Sequence, residues 1–242
     1  MKKTIVTSLL ALTVIGGAFA QGTVNWGSGA IAGNTFTAQT NSVNYSPLFG
    51  GAATGLGAGA AVGATATTAT GFYYAMLYTN QPLAGTAISA PGSLAALNGW
   101  SSAGLSATNS TSTAGRILTS GQGSANTVPW ANGSTNYIMM VGWSANLGTS
   151  WSAADATISS PSLLGNVVGP AYFGMSSIGY INPGTSTTLG VNAFASSSTG
   201  VAYGVPIFSL NTQLYLIPVP EPGTMALAAL GGASLLLFRR RK

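Results

Sequence analysis

Few side chains in this sequence could do chemistry. The 242-residue chain has no His and no Cys, and between Gln21 and Pro218 its only ionic side chains besides Tyr are Arg116 and Asp155. Ser-His-Asp and Cys-His arrangements need an imidazole to take the nucleophile's proton, so both are excluded. One carboxylate cannot form the acid and base pair of glycoside hydrolysis. Zinc lacks its nitrogen and sulfur ligands, and calcium lacks clustered acids. Lys is absent from the body, so no phosphate-binding loop can be completed. The sequence therefore predicts no catalytic residue, no metal, no cofactor and no enzyme. Arg116 and Asp155 are expected at separate solvated positions.

Recognition without charge remains open. Flat aromatic rings stack on the apolar faces of sugars, and neutral hydroxyl and amide groups orient them. Of the five tryptophans, Trp100 and Trp130 stand beside turn residues and are the candidate glycan contacts, whereas Trp143 reads as core. Asn109-Ser110-Thr111 and Asn132-Gly133-Ser134 match the glycosylation acceptor pattern but read more naturally as turn residues.

Charge supports the same division. Only 4% of residues are charged, against about a quarter in ordinary domains. The formal +5 comes from the ends, because Lys2, Lys3, Arg239, Arg240, Arg241 and Lys242 supply six of the seven cations. Nucleic-acid binding needs a clustered basic surface to neutralise phosphates, and a single arginine cannot provide one. Little repulsion opposes homotypic association of so neutral a body.

The elements that must position any site are strands. "GFYYAMLYTN" interleaves Phe72, Tyr74, Met76 and Tyr78 with Tyr73, Ala75 and Leu77, the mark of a strand buried on both faces. "STNYIMMVGW" places Tyr137, Met139, Val141 and Trp143 on one side, and "VPIFSLNTQLYL" does the same for Phe208, Leu210, Leu214 and Leu216. "AYFGMSSIGYI" and "TTLGVNAF" also read as strands. Asn132-Gly133 and Asn182-Pro183-Gly184 supply turns. Short helices are predicted from Ser93 to Asn98-Gly99 and as a single turn around Asp155. Two Gly/Ala/Ser/Thr-rich segments, Gly50–Gly71 and Ser101–Gly115, read as flexible insertions or weakly patterned edge strands. Many short strands with few helices predict an all-β, antiparallel β-sandwich or jelly-roll-like ectodomain.

Both ends carry a different pattern. "MKKTIVTSLLALTVIGGAFA" has a basic start, an apolar stretch and small residues at Ala18 and Ala20, the layout of a secretory signal cleaved before Gln21. Residues 224–238 form an uncharged apolar run followed by Arg239, Arg240, Arg241 and Lys242. This run is shorter than the roughly 20 residues of a comfortable span, but a short helix can thin the bilayer locally. A basic cluster sets orientation with the C-terminus cytoplasmic.

Ahead of that run stands Val219-Pro220-Glu221-Pro222. The two prolines fix φ and exclude helix and ladder pairing, leaving Glu221 as an accessible anionic handle. The Pro-Glu-Pro segment, apolar helix and basic end, taken in this order, resemble a PEP-CTERM sorting signal. The resemblance covers roughly the last 24 residues. It implies processing by an exosortase, a membrane-embedded cysteine transpeptidase, with a link to exopolysaccharide and biofilm matrix. "QGTVNW" and "YYAMLYTNQPLAGTAISAPGSLAALNGW" are similar, more loosely, to stretches in exported proteins with such tails, which implies a β-rich domain.

The expected organisation is thus a signal peptide at 1–20, a β-rich exported domain at 21–218 and a sorting signal with one transmembrane helix at 219–242. The expected protein is exported through the inner membrane and held there as a precursor. It becomes a structural or adhesive component of the cell surface or matrix after processing. A glycan-binding module without catalysis is the alternative. An outer-membrane β-barrel conflicts with the basic inner-membrane stop.

Overall fold

In the structure, a computed structural model, residues 21–27, 37–51, 71–80, 90–110, 115–119, 124–185, 190–194, 204–205, 207, 211–219, 230–231 and 234 are described. The centre of the fold is β7 (Asn136–Ser144), buried at all nine positions. Its alternation has two apolar sides and no polar one. Ile138 and Met140 enter one core, while Met139, Val141 and Trp143 enter another. β3 (Phe72–Thr79) pairs with it antiparallel over its whole length, from Phe72 opposite Ser144 to Thr79 opposite Tyr137. As its interleaved pattern predicts, β3 sends Phe72, Tyr74 and Met76 to the first core and Ala75 and Leu77 to the second.

The large sheet runs in the order β2 (Thr37–Tyr45), β12 (Asn211–Leu216), β8 (Tyr172–Met175), β7, β3, β4 (Ser101–Asn109), β5 (Ile117–Thr119). Its two ends meet. Thr37 bridges Arg116, and Ala38 N donates to Gly115 O at 2.8 Å. This sheet is therefore a nearly closed barrel. A second tier, β9 (Gly179–Ile181) and β11 (Gly204–Val205), extends from the first half of β7.

Inside the curl lies a small sheet in the order β10 (Val191–Asn192), β1 (Gln21–Asn25), β6 (Asn126–Ala131). Val24, Val128, Trp130 and Phe194 join Tyr74, Met76 and Met140 in one cluster, so the interior is filled by side chains. Each large side chain fully buried there contributes about 1.5–3 kcal/mol before the entropy of ordering is counted. Outside the curl, α1 (Leu94–Leu97), α2 (Trp151–Ser159) and α3 (Pro161–Leu164) contribute Leu97, Ala154, Ile158 and Leu164 to the second core.

The β-rich body agrees with the sequence. Its form differs from the expected antiparallel sandwich or jelly roll, because one sheet curls on itself and two pairings are parallel. β12 runs parallel to β2, and β1 parallel to β10. The Ser101–Gly115 segment is not an insertion: Ser101–Asn109 is a strand between β3 and β5, with Ala103, Leu105 and Ala107 pointing inward. Small side chains there satisfy the period of two at a crowded position. The helix from Ser93 to Asn98 forms as expected, with Ser93 accepting from Ala96 N at 3.2 Å. The turn around Asp155 is longer, spanning nine residues. Residues 52–70 and the Phe208 and Leu210 positions lie outside the described residues.

A close approach holds the centre together. A Cβ on Gly142 of β7 would stand 2.7 Å from the Tyr74 ring and 2.9 Å from a Leu214 methyl. Gly142→Ala must push one of them aside, and such overpacking costs about 1–3 kcal/mol. The expected result is a lower denaturation midpoint with an unchanged slope in urea titration. An unchanged midpoint would mean that Tyr74 and Leu214 yield freely.

Candidate functional site

A bulge in β4 makes room on the outer surface. Ala75 faces Ser106 and Leu77 faces Ser102, so Met76 alone opposes the three residues Ala103, Gly104 and Leu105. Gly104 takes φ 78, a left-handed conformation that glycine adopts without a Cβ penalty. Its N–H donates to Ser102 Oγ at 3.1 Å. The bulge lets Ala103 and Leu105 both point inward while the strand surface between them stays bare.

Beside this bare surface stands the start of α2. Ser150 caps it, its hydroxyl accepting from Ala153 N at 3.3 Å and lying 3.2 Å from Ser152 Oγ. Between bulge and helix is a cavity of about 330 Å³, bordered by Ser102, Ser150 and Ser152 and by three aromatic rings. Trp143 is buried at its base, with the indole N–H donating to Gly148 O at 2.7 Å. Tyr73 and Trp151 are half-buried. The Tyr73 and Trp143 rings lie 6.3 Å apart and nearly parallel at 24°, and Trp151 leans on Trp143 at 5.7 Å and 59°. Among the described residues, none that lines this cavity is charged. A second cavity, of about 470 Å³ on β4 and β6, has no aromatic lining.

The glycan contacts expected from sequence fall elsewhere. Trp130 is not exposed: it retains 6% of its surface and stacks on Tyr78 at 4.8 Å, inside the curled sheet. Its inward direction on β6 outweighs the Asn132-Gly133 turn beside it. Trp100 is half-buried and packs against the outer core. Trp143 is core, as expected, and is 1% exposed. Besides the buried Trp143, the rings that border the cavity are those of Tyr73 and Trp151. The sequence signal for Trp151 was its flanking by Ser150 and Ser152; Tyr73 gave none, since the bulge that uncovers it lies on another strand.

Asn109 is buried, its side-chain oxygen accepting from Phe72 N at 2.7 Å. Asn132 is exposed and donates to Pro183 O at 2.6 Å. Both act as structural links between segments. Arg116 lies at the barrel seam and Asp155 on α2, each half-buried.

At the other end of the body, Ile217 N donates to Ala171 O at 2.9 Å and Val219 packs against the outer core. Gln21, the first described residue, opens β1 and is exposed. Ala18, Ala20, Pro220, Glu221, Pro222, Arg239, Arg240, Arg241 and Lys242 lie outside the described residues. Among the described residues no helix is long and apolar enough to cross a membrane.

Residues 218–242 match the family model of the PEP-CTERM protein-sorting motif. The chain thus carries the sorting signal of an exosortase substrate. No curated protein and no solved structure matches the chain.

Burial raises the Asp155 carboxyl above its ordinary range, because it penalises the charged form. A raised folded-state value means that protonation favours the folded chain. The contribution is complete below the unfolded value, about 3.9, and is lost as pH rises through the folded one. Asp155→Asn should therefore melt higher than the native protein at neutral pH. The difference should vanish near pH ~3, where the native carboxyl is also neutral. A difference that persists unchanged at acid pH would assign the effect to something other than ionisation.

Proposed function

We propose that this chain is an exported, non-catalytic component of the cell surface or extracellular matrix, released from its membrane-held precursor by an exosortase. The carrying observation is the sorting motif at 218–242. Two features of the rest of the chain support the reading. The body holds one cation and one acid, so it lacks the proton donors, acceptors and ligands that catalysis uses. Its buried interior, in turn, is built from apolar and aromatic side chains whose role is packing.

In this reading Gln21 begins the mature protein after cleavage at Ala18-Phe19-Ala20. Residues 224–238 hold the precursor in the inner membrane, with Arg239, Arg240, Arg241 and Lys242 on the cytoplasmic side. Val219, Pro220, Glu221 and Pro222 are what the sorting enzyme reads. Proline restricts φ and offers no backbone donor, and Glu221 is the only anion of this strip.

The body is also unsuited to facing lipid. The outward positions of β4 are Ser102, Gly104, Ser106 and Thr108, all exposed, where an outer-membrane barrel needs an apolar band. The outer faces of β3 and β7 are covered instead by helices.

Pulse labelling of cells with and without the sorting enzyme tests the proposal, with mass spectrometry of the mature C-terminus. Glu221→Ala is expected to insert normally yet remain as precursor in the membrane fraction, with processing slowed at least about tenfold, a loss of about 1.4 kcal/mol in recognition. Maturation at the native rate in that variant, or in cells lacking the enzyme, would overturn the proposal.

A further inference from the structure

We propose that the cavity between the β4 bulge and α2 is a binding site for the rings of an uncharged glycan. Its borders combine two aromatic walls with a rim of hydroxyls. Tyr73 and Trp151 are each half-buried and border the cavity, so each is held by packing while part of its side chain stays accessible. Trp151 is held by two neighbouring rings of the outer core, Trp143 at 5.7 Å and Phe173 at 6.2 Å. Its indole N–H has no acceptor among the described residues; the same holds for Trp130, but there the group is sealed in the inner core, whereas Trp151 borders the cavity. An unused donor on a held aromatic ring is what a sugar hydroxyl would occupy.

The rim supplies complementary groups. Ser102, Ser150 and Ser152 border the cavity with hydroxyls that both donate and accept. At about 330 Å³ the cavity stands at the small end of ligand sites, which run from about 300 to 1,000 Å³. That is room for one or two rings of a longer chain and too little for a folded partner.

Charge narrows the choice further. Among the described residues the lining carries no ionic side chain, and the body's single cation, Arg116, lies at the barrel seam. A uronic-acid or sulfated glycan would bury anions without partners, which is costly. A neutral glycan avoids that charge penalty, and its axial hydrogens suit the electron-rich ring faces.

The bulge explains why the site is here. With Gly104 in place of a residue bearing a side chain, nothing lies within 4 Å of where a Cβ would project. The backbone of β4 therefore leaves the cavity open on the side away from α2.

The site requires only the folded body, so it stands apart from the sorting reading and is tested separately from it. Full-length chain in a sugar-free detergent is titrated with neutral hexasaccharides of β-1,4-glucose, β-1,3-glucose and α-1,4-glucose, and with oligogalacturonate. Tryptophan fluorescence and calorimetry report binding. At least one neutral hexasaccharide is expected to bind saturably, and oligogalacturonate at least about tenfold more weakly. Trp151→Ala should weaken the neutral ligand about tenfold or more. Ser152→Leu, at an exposed helical position, should do the same by filling the cavity without removing packing. Trp100→Ala should leave affinity unchanged. Failure of all three neutral hexasaccharides to bind, equal binding of oligogalacturonate, or full affinity in Ser152→Leu would overturn the assignment. Glu221→Ala should bind the hexasaccharide normally, so a processing defect and a binding defect are read independently.

Discussion

The structure depends on a strand that has no solvent side. β7 is buried at every position, so each of its faces must be matched by its own set of apolar partners. A flat sheet can bury one face against a second layer. Burying both requires covering on each side, as in sheets that carry helices. Here one covering is the sheet's own inner filling of β1, β6 and the Phe194 region, and the other is the short helices. The curl and the helices are two answers to the same demand.

Closure follows from the same arithmetic of faces. An inner face lined by Tyr74, Met76, Met140 and Leu214 leaves no polar surface to expose, so the sheet gains by bending around its contents. The ends meet at Thr37 and Arg116, where one backbone bridge replaces what would be two open edges. In a body with so few charges, edges cannot be guarded by Lys or Glu, and pairing is the remaining protection. The neutrality that makes the body poor in chemistry thus bears on its topology as well.

Much of this was legible in the sequence, because it rests on local periodicity. β3 and β7 were readable as doubly buried or one-sided strands from their aromatic and aliphatic alternation. The α1 cap at Ser93 was readable from its spacing to Asn98-Gly99. What escaped depends on partners distant in the chain. β12 lies beside β2, 174 residues away where Gln213 donates to Gln39, and nothing local announces a parallel pairing. The strand character of Ser101–Asn109 was hidden by its Ser, Ala and Gly content, although Ala103, Leu105 and Ala107 keep a period of two. Trp130 illustrates the reverse error. A turn two residues away signals exposure, but the direction of its side chain is set by the face of β6, and that face is inward.

The same reasoning joins the two functional ends of the molecule. β12 is held between β2 and β8, and Ile217 continues the ladder through Ala171. Val219 still rests on the outer core, one residue before Pro220. The last strand ends at Leu216, and the matched motif begins at residue 218. The first two residues of the matched motif, Pro218 and Val219, therefore follow directly on the residues that end the sheet. A change at Val219 touches the outer core and the matched motif at once.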